Sequence, residues 1–535
     1  MKSNVSTKTI GLFSAIGLGV SSIIGSGWLF APYKSAVVAG PAAILSWVIG
    51  GIIICLLGLC FCEIATLYPK RGLSAIIPVL SHNKYFAFPF AIANWLGIVA
   101  VIGLEADATI QYLINLFPSI QPLLYTNNQL TIPGDTLSVI LVLGYSMVNY
   151  WGASTLVKTN NVFAVIKVLI PIVVTVVILA TVFHPQNFTQ TFSSLDKASF
   201  MPYGMKSIFS AMLTTGIIVA FNGFQTIISF CSEVKKPNRT IPLSVVIAIL
   251  FCTLIYIFLQ IAFIGAIPSN LLQNGWSQLQ FSAPIVQLLG LMGLGILSTV
   301  IYFGATISPS GTAIAYTGSA SRMFTAMARN EQMPKYFGFL NDVYRVPRRS
   351  LVLNTILAIL FLVLFRSWSS LAQVLSILHV ISYLPIPIAI WVFRERISRD
   401  KYPFRIPLGK TISLLIFIFF TYLFTLADLK IATEVMIFFA FFMLVFIFIN
   451  TRSVGDFLTI LNQIWPMAFY FVCLLLLVVV SPDHSSLLSE KQFLAVVTLA
   501  SVISFIFLTT AKKDAVTAVE SDPAVNMYIQ TTAHE

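Results

Sequence analysis

The stretch Ile23-Ile24-Gly25-Ser26-Gly27-Trp28-Leu29-Phe30 interrupts an apolar run that extends over residues 10–33. A run of that length crosses the hydrocarbon core of a bilayer as a helix, yet its middle holds two glycines and a serine. Glycine lacks the side-chain barrier to unwinding, and an unwound stretch frees N–H and C=O groups that a ligand can use. A second interruption, Ala220-Phe221-Asn222-Gly223-Phe224-Gln225, lies within the run 207–231. Small residues also let helices pack closely. The two interruptions stand five runs apart, however, and that matched spacing favours a pair of broken helices.

Working outward, apolar runs fall at 10–33, 42–67, 86–117, 136–150, 162–183, 207–231 and 241–267. They continue at 285–317, 351–365, 370–393, 411–427, 432–449, 464–481 and 493–511, about fourteen spans in all. Of 535 residues, 58% are hydrophobic and 9% charged, against roughly 25% charged in a soluble domain. A soluble enzyme and a disordered scaffold are thereby excluded. Backbone groups in lipid must be satisfied within the segment, so the spans are helices. The continuous apolar runs lack the alternation of a membrane β-barrel. The fold class is an all-α polytopic membrane protein.

Two broken segments five spans apart are the mark of a 5+5 inverted-repeat transporter with its site at mid-membrane. The first repeat occupies 1–183 (spans 1–5) and the second 207–393 (spans 6–10). Spans 11–14 fill 411–511, and 512–535 is a tail. With the N-terminus inside, Lys34, Lys197, Lys206, Arg366, Lys430 and Lys491 fall outside, Lys167 lies within a span, and the remaining Lys and Arg fall on the cytoplasmic side. This bias places both termini in the cytoplasm. The net charge of +12 therefore follows the membrane and does not signal nucleic acid.

The six cysteines lie inside apolar runs and read as small buried hydrophobes. No metal-ligating cluster, phosphate-cradling loop or catalytic constellation is expected, hence no enzyme, cofactor or metal site.

The residues at both interruptions resemble the amino acid–polyamine–organocation transporter superfamily. Gly25-Ser26-Gly27-Trp28-Leu29-Phe30 is similar to its first-helix Gly-Ser-Gly-Ile-Phe motif. Cys62-Glu63-Ile64 with Tyr68-Pro69-Lys70-Arg71-Gly72 resembles the end of its second helix and the loop beyond. Phe221-Asn222-Gly223-Phe224-Gln225, followed by Glu233-Val234-Lys235-Lys236-Pro237, resembles the sixth helix and its loop. Ser321-Arg322-Met323, Ala326–Arg329 and Met333-Pro334 resemble the stretch after helix 8, and Pro403–Pro407 the loop before helix 11. The run Ser308-Pro309-Ser310-Gly311-Thr312 and the two extra C-terminal spans look most like the bacterial aspartate–proton symporter branch.

The resemblance implies a secondary active transporter in the bacterial cytoplasmic (inner) membrane. It would be a proton-coupled amino acid symporter working by alternating access. An amino acid or amine antiporter is the alternative, and a non-transporting membrane receptor the third reading.

For an α-amino acid, the N–H groups of Ser26, Gly27 and Trp28, which follow Gly25 at the start of a half-helix, suit the carboxylate. Carbonyls of Ile23, Phe221 and Asn222, beside Gly223, suit the ammonium. Trp28, Phe221 and Phe224 either close over the ligand or pack. Lys167 is the one cation within the runs. Burying an ammonium is costly, so it must find an acceptor or give up its proton. In some proton-coupled relatives a Lys at the matching point of helix 5 stands in for a sodium ion between helices 1 and 8. Carried over, Lys167 faces the span-1 break and the Ser308/Ser310/Thr312 region.

Intramembrane carboxylates are also functional candidates. Glu105 and Asp107 are two apart, so one helical face does not hold both. Glu105 is preferred for a proton or selectivity role. Glu63 and Glu233 are expected to pair with nearby Lys or Arg, and His379 to be an interior polar residue. The expected partners are therefore an amino acid, protons and the lipid bilayer.

Overall fold

The computed structural model describes residues 10–511 apart from 70–72, 118, 127–128, 152–153, 194–195, 197, 331 and 342–345. The tail at 512–535, Lys197 and the Lys70-Arg71-Gly72 motif lie outside the described residues. Span 1 is two helices, α1 (Leu12–Ile23) and α2 (Gly27–Ala39), and span 2 is α3 (Ala43–Leu67). A short helix α4 (Leu73–Ser81), outside the expected spans, precedes α5 (Lys84–Asn115), which is span 3. One helical turn, α6 (Gln121–Leu124), and an antiparallel pair, β1 (Tyr125–Thr126) and β2 (Gln129–Leu130), lead to α7 (Ile132–Tyr150) and α8 (Ser154–Thr181) as spans 4 and 5.

Span 6 is divided into α9 (Met205–Thr214), α10 (Ile217–Ala220) and α11 (Gln225–Ser229); span 7 is α12 (Pro237–Ala266). Next come α13 (Pro284–Leu291), α14 (Gly295–Arg329) and α15 (Arg348–Phe365), then span 10 as α16 (Trp368–Tyr383) and α17 (Pro385–Arg396). The last four expected spans correspond to α18 (Gly409–Phe424), α19 (Leu429–Asn450), α20 (Val454–Val480) and α21 (Glu490–Thr510). Among the described residues nine helices are long and apolar enough to cross a membrane, with shorter apolar helices beside them.

Three boundaries differ from the apolar pattern, each for a local reason. The run 285–317 is not one span, because Gly293 at φ +75° turns the chain between α13 and α14. The run 370–393 is divided where Pro385, which has no N–H to donate, follows Leu384. Helix α2 continues to Ala39, beyond the run's expected end at residue 33, and carries Lys34 with its ammonium 5.0 Å from the Tyr33 ring centre.

Burial separates core from rim. The most apolar stretches of α5 and of the α16–α17 segment are 89% buried, whereas those of α7 and α19 are 33% buried and face outward. Helix α5 is thus the central post against which the broken elements are set. Its start is fixed by Asn83, whose side chain accepts from the N–H groups of Tyr85 (2.9 Å) and Phe86 (2.8 Å).

Two tethers set the positions of the elements around the breaks. Glu63 of α3 takes a two-pronged ion pair from Arg394 of α17, at 2.7 and 2.6 Å, and also accepts from the Ile406 N–H at 2.9 Å. At the other tether, Ile10 N–H donates to the Glu233 carbonyl (3.1 Å) and Lys235 N–H to the Ile10 carbonyl (2.9 Å), tying the start of α1 to the chain beyond α11.

Candidate functional site at two helix breaks

Helix α1 ends because Ile24 turns extended, at φ −78° and ψ 103°, and the chain re-enters a helix only at Gly27. In span 6 two glycines do the breaking: Gly216 at φ +82° begins α10, and Gly223 at φ +117° separates it from α11. A side chain at Gly223 is impossible without movement, since a Cβ would stand 2.3 Å from the Ser22 carbonyl oxygen. The two breaks therefore meet backbone to backbone. Tyr256 of α12 bridges them, its hydroxyl donating to the Ala220 carbonyl at 3.0 Å and reaching the Ile23 carbonyl at 3.4 Å.

The breaks border two adjacent cavities. The larger, about 430 Å³, is lined by Leu18 and Ser22 of α1, Asn94 and Ile98 of α5, Lys167 of α8, Asn222 and Gln225 at the span-6 break, Tyr316 and Ser319 of α14, and Tyr383 of α16. Its size is that of a small-molecule site. Asn94 and Ile98, one turn apart, are partly exposed in the otherwise buried stretch 86–112 of α5, and Ser319 is exposed at the rim. The cavity thus opens toward the end of the helix assembly where α1 begins. The smaller compartment, about 40 Å³, lies deeper, against Gly25, Ser26, Gly27, Glu105, Ala220 and Trp368. Ser22, Asn222, Thr312 and Tyr316 line both spaces and form the threshold between them.

Beyond the small compartment the protein is closed. Trp368 stacks on Phe30 with ring centres 4.8 Å apart, and Tyr112 meets Phe30 edge-on at 5.3 Å. Tyr112 also donates to the Leu29 carbonyl at 3.2 Å. All three rings are fully buried. On this side Asp107 points away from the breaks and accepts from Gln111 at 2.7 Å. Glu105 points toward them: the Ser26 N–H donates to its Oε1 at 3.4 Å. Of the two carboxylates, then, Glu105 lines the compartment.

Lys167 reaches from α8 to α14, where its ammonium donates to Thr312 Oγ1 at 2.6 Å. Ser308 lies one turn away on the same helix, and its buried hydroxyl has no partner among the described residues. Ser310 faces elsewhere, meeting Tyr145 at 3.0 Å and Thr109 at 3.3 Å in a contact between α14, α7 and α5. Neither cavity is lined by Trp28, Phe221 or Phe224. Phe221 packs on Trp47 and Tyr256, and Phe224 on Phe61 and Tyr383. The Phe221 and Phe224 rings therefore shore up the broken helix from behind. His379 is buried in α16, held by the Leu375 carbonyl at 2.7 Å, and does not line either cavity.

Tyr316, Tyr383 and Asn94 escaped the sequence reading, as did the side-chain contacts of Asn222 and Gln225. Tyr316 follows Thr312 by four residues and shares its face, a signal present in the polar series of α14. Asn222 reaches Tyr316 and Tyr383 at 3.5 Å each, making a polar threshold. Gln225 turns back to accept from the Gly223 N–H at 3.2 Å, satisfying a donor that the break releases.

Apolar helices enclosing a polar cavity at paired breaks define an integral, multi-pass membrane protein with a ligand-sized central site. The chain belongs to the amino acid permease family, whose model matches residues 10–449. It is 38% identical over 416 residues to the glutamate/serine transporter AimA of Bacillus subtilis (strain 168), covering 77% of this chain and 76% of that one. It is 33% identical over 414 residues to the aspartate-proton symporter of the same organism, with 77% and 78% covered. The methylthioribose transporter of that organism is 25% identical over 416 residues, covering 76% and 85%.

Proposed function

We propose that this chain is a secondary active transporter that carries an amino acid together with protons by alternating access. The observation that carries the proposal is the Lys167 ammonium, buried between α8 and α14 beside the end of α1 and held by Thr312 at 2.6 Å. An intramembrane cation is expensive to keep and is a functional group by default. Protonated, Lys167 has three donors to place and pins α8 to α14. Deprotonated, it releases part of that demand, so proton occupancy biases how α1 sits against α14.

The amino acid occupies the breaks. Its carboxylate takes the N–H groups at the start of α2 (Ser26, Gly27 and Trp28), where a helix N-terminus favours an anion. Its ammonium takes the Ile23, Phe221 and Asn222 carbonyls. Spans 1–5 and 6–10 form the two inverted repeats, both termini are cytoplasmic, and about fourteen spans cross the inner membrane. In that orientation the 430 Å³ cavity opens to the cytoplasm, and Phe30, Trp368 and Tyr112 are the closed external gate. Relatives named for glutamate/serine and aspartate-proton transport support an acidic or small polar substrate.

Lys167→Ala tests the coupling. Reconstituted into vesicles, the variant is expected to lose at least ten-fold in proton-driven accumulation while still exchanging labelled for unlabelled substrate. Accumulation at the wild-type level removes Lys167 from the coupling step.

A further inference from the structure

Glu105 occupies an unexpected place for a group that helps a transporter bind an amino acid. Its Oε1 sits on the Ser26 N–H, 3.4 Å away, at the threshold of α2. This is one of the donors the substrate carboxylate needs. Gly25 allows the approach, since a Cβ there would stand 3.3 Å from the same oxygen. The other oxygen, Oε2, is buried and has no hydrogen-bond partner among the described residues. Lys167, within electrostatic reach, spends its bond on Thr312 instead. The compartment is about 40 Å³, room for about three waters, so it does not hold two carboxylates at a comfortable separation.

We infer that the Glu105 carboxylate is a tethered stand-in for the substrate's own carboxylate, holding the start of α2 in the empty site and leaving it on protonation. The inference deepens the transport reading above and rests on it. Two anions compete for one set of donors, and like charges at close range do not both stay ionised. When Glu105 takes a proton it becomes a neutral acid and no longer needs the Ser26 N–H. The substrate carboxylate then replaces it, so one proton enters with one amino acid. When that proton leaves, the carboxylate returns to Ser26 and displaces the substrate.

Proton and substrate thus raise each other's affinity, as linkage requires. Other titratable groups in reach of Glu105 are Lys167 from α8, Tyr316 from α14 and Tyr145 from α7. Tyrosine, with an ordinary pKa of about 10, does not change charge between pH 5.5 and 7.5, and a pH dependence that came from Lys167 would persist in Glu105→Gln.

The opposite role, in which Glu105 attracts the substrate ammonium, predicts the opposite sign. The experiment is equilibrium binding of tritiated L-serine, L-glutamate and L-aspartate to the purified full-length protein in nanodiscs, without a gradient, at pH 5.5 and 7.5. The wild type is expected to bind its substrate more tightly at the lower pH. Glu105→Gln, neutral and of the same shape, is expected to bind about ten-fold more tightly than wild type at pH 7.5, the scale of one charge-assisted hydrogen bond, with little dependence on pH. Glu105→Asp keeps the charge but withdraws it by one methylene, and should fall between the two.

Weaker binding by both Glu105 variants overturns the inference, as does a wild-type pH slope in Glu105→Gln. Either result leaves the transport reading standing. A wild type that binds none of the three amino acids sinks both.

Discussion

Gly223→Ala is expected to abolish amino acid binding in a protein that still inserts with its helices formed. The residue sits at φ +117°, where a side chain is strained by roughly 1–3 kcal/mol before any contact is counted. The contacts add more: a Cβ would lie 2.3 and 2.5 Å from the Ser22 carbonyl oxygen and carbon, and 2.9 Å from the Ile23 nitrogen. These are backbone atoms of the other break and cannot rotate aside. One methyl therefore pries the two breaks apart, and the carbonyl and N–H groups facing the ligand lose their register.

Gly27→Val should act in the same direction, since a Cβ at Gly27 already stands 3.1 Å from the Ala220 Cβ. Gly17→Ala, on the same broken span as Gly27 but with nothing within 4 Å, is the matched control and should bind as wild type. The check is equilibrium binding of labelled L-serine, L-glutamate and L-aspartate, with helical content read by circular dichroism. Undiminished binding by Gly223→Ala would mean that the site is not at the breaks.

The second large effect is on stability. Arg394 has 7% and Glu63 0% of its side chain exposed, and they face each other through two hydrogen bonds of 2.7 and 2.6 Å. Phe61, two residues before Glu63, and Pro385, at the head of the same helix as Arg394, both line the large cavity. The pair thus clamps α3 to α17 directly behind the cavity wall. Removing one partner leaves a buried charge uncompensated, a loss of about 3–5 kcal/mol. Arg394→Ala should accordingly lower the midpoint of thermal unfolding in detergent by many degrees. Replacing both partners with neutral groups of similar volume, Glu63→Gln with Arg394→Met, should recover much of that loss, because the cost lies in the orphaned charge. If Arg394→Ala unfolds with the wild type, the ion pair does not hold these helices.

The breaks were legible in the sequence because glycine is the one residue that removes a conformational barrier wherever it stands, and two such places were spaced by five spans. Lys167 was legible for an equally simple reason: a cation inside an apolar run needs an explanation. Tyr316, Tyr383, Tyr256 and Asn94 were not, since a tyrosine or asparagine in an apolar run looks the same whether it faces a cavity, a neighbour or the membrane interface. Four different helices bring them together, and no local pattern records that meeting.

The boundary at Gly293 was missed because Met292 and Leu294 keep the run apolar on both sides of the turn. Helix α4, nine residues long, is too short to register as a span, yet its Pro78 lines the large cavity. Helical geometry allowed only one of Glu105 and Asp107 to face the site and did not decide which, nor did it show the contact of Glu105 with Ser26, which depends on how the chain unwinds after α1.

The most direct test of the central claim is uptake of a labelled amino acid panel into proteoliposomes, with and without an inward proton gradient. The account predicts that the gradient drives accumulation against a concentration difference in vesicles that contain no substrate. Movement that occurs only in preloaded vesicles, indifferent to the gradient, would make the protein an exchanger and contradict the proton-coupled mechanism.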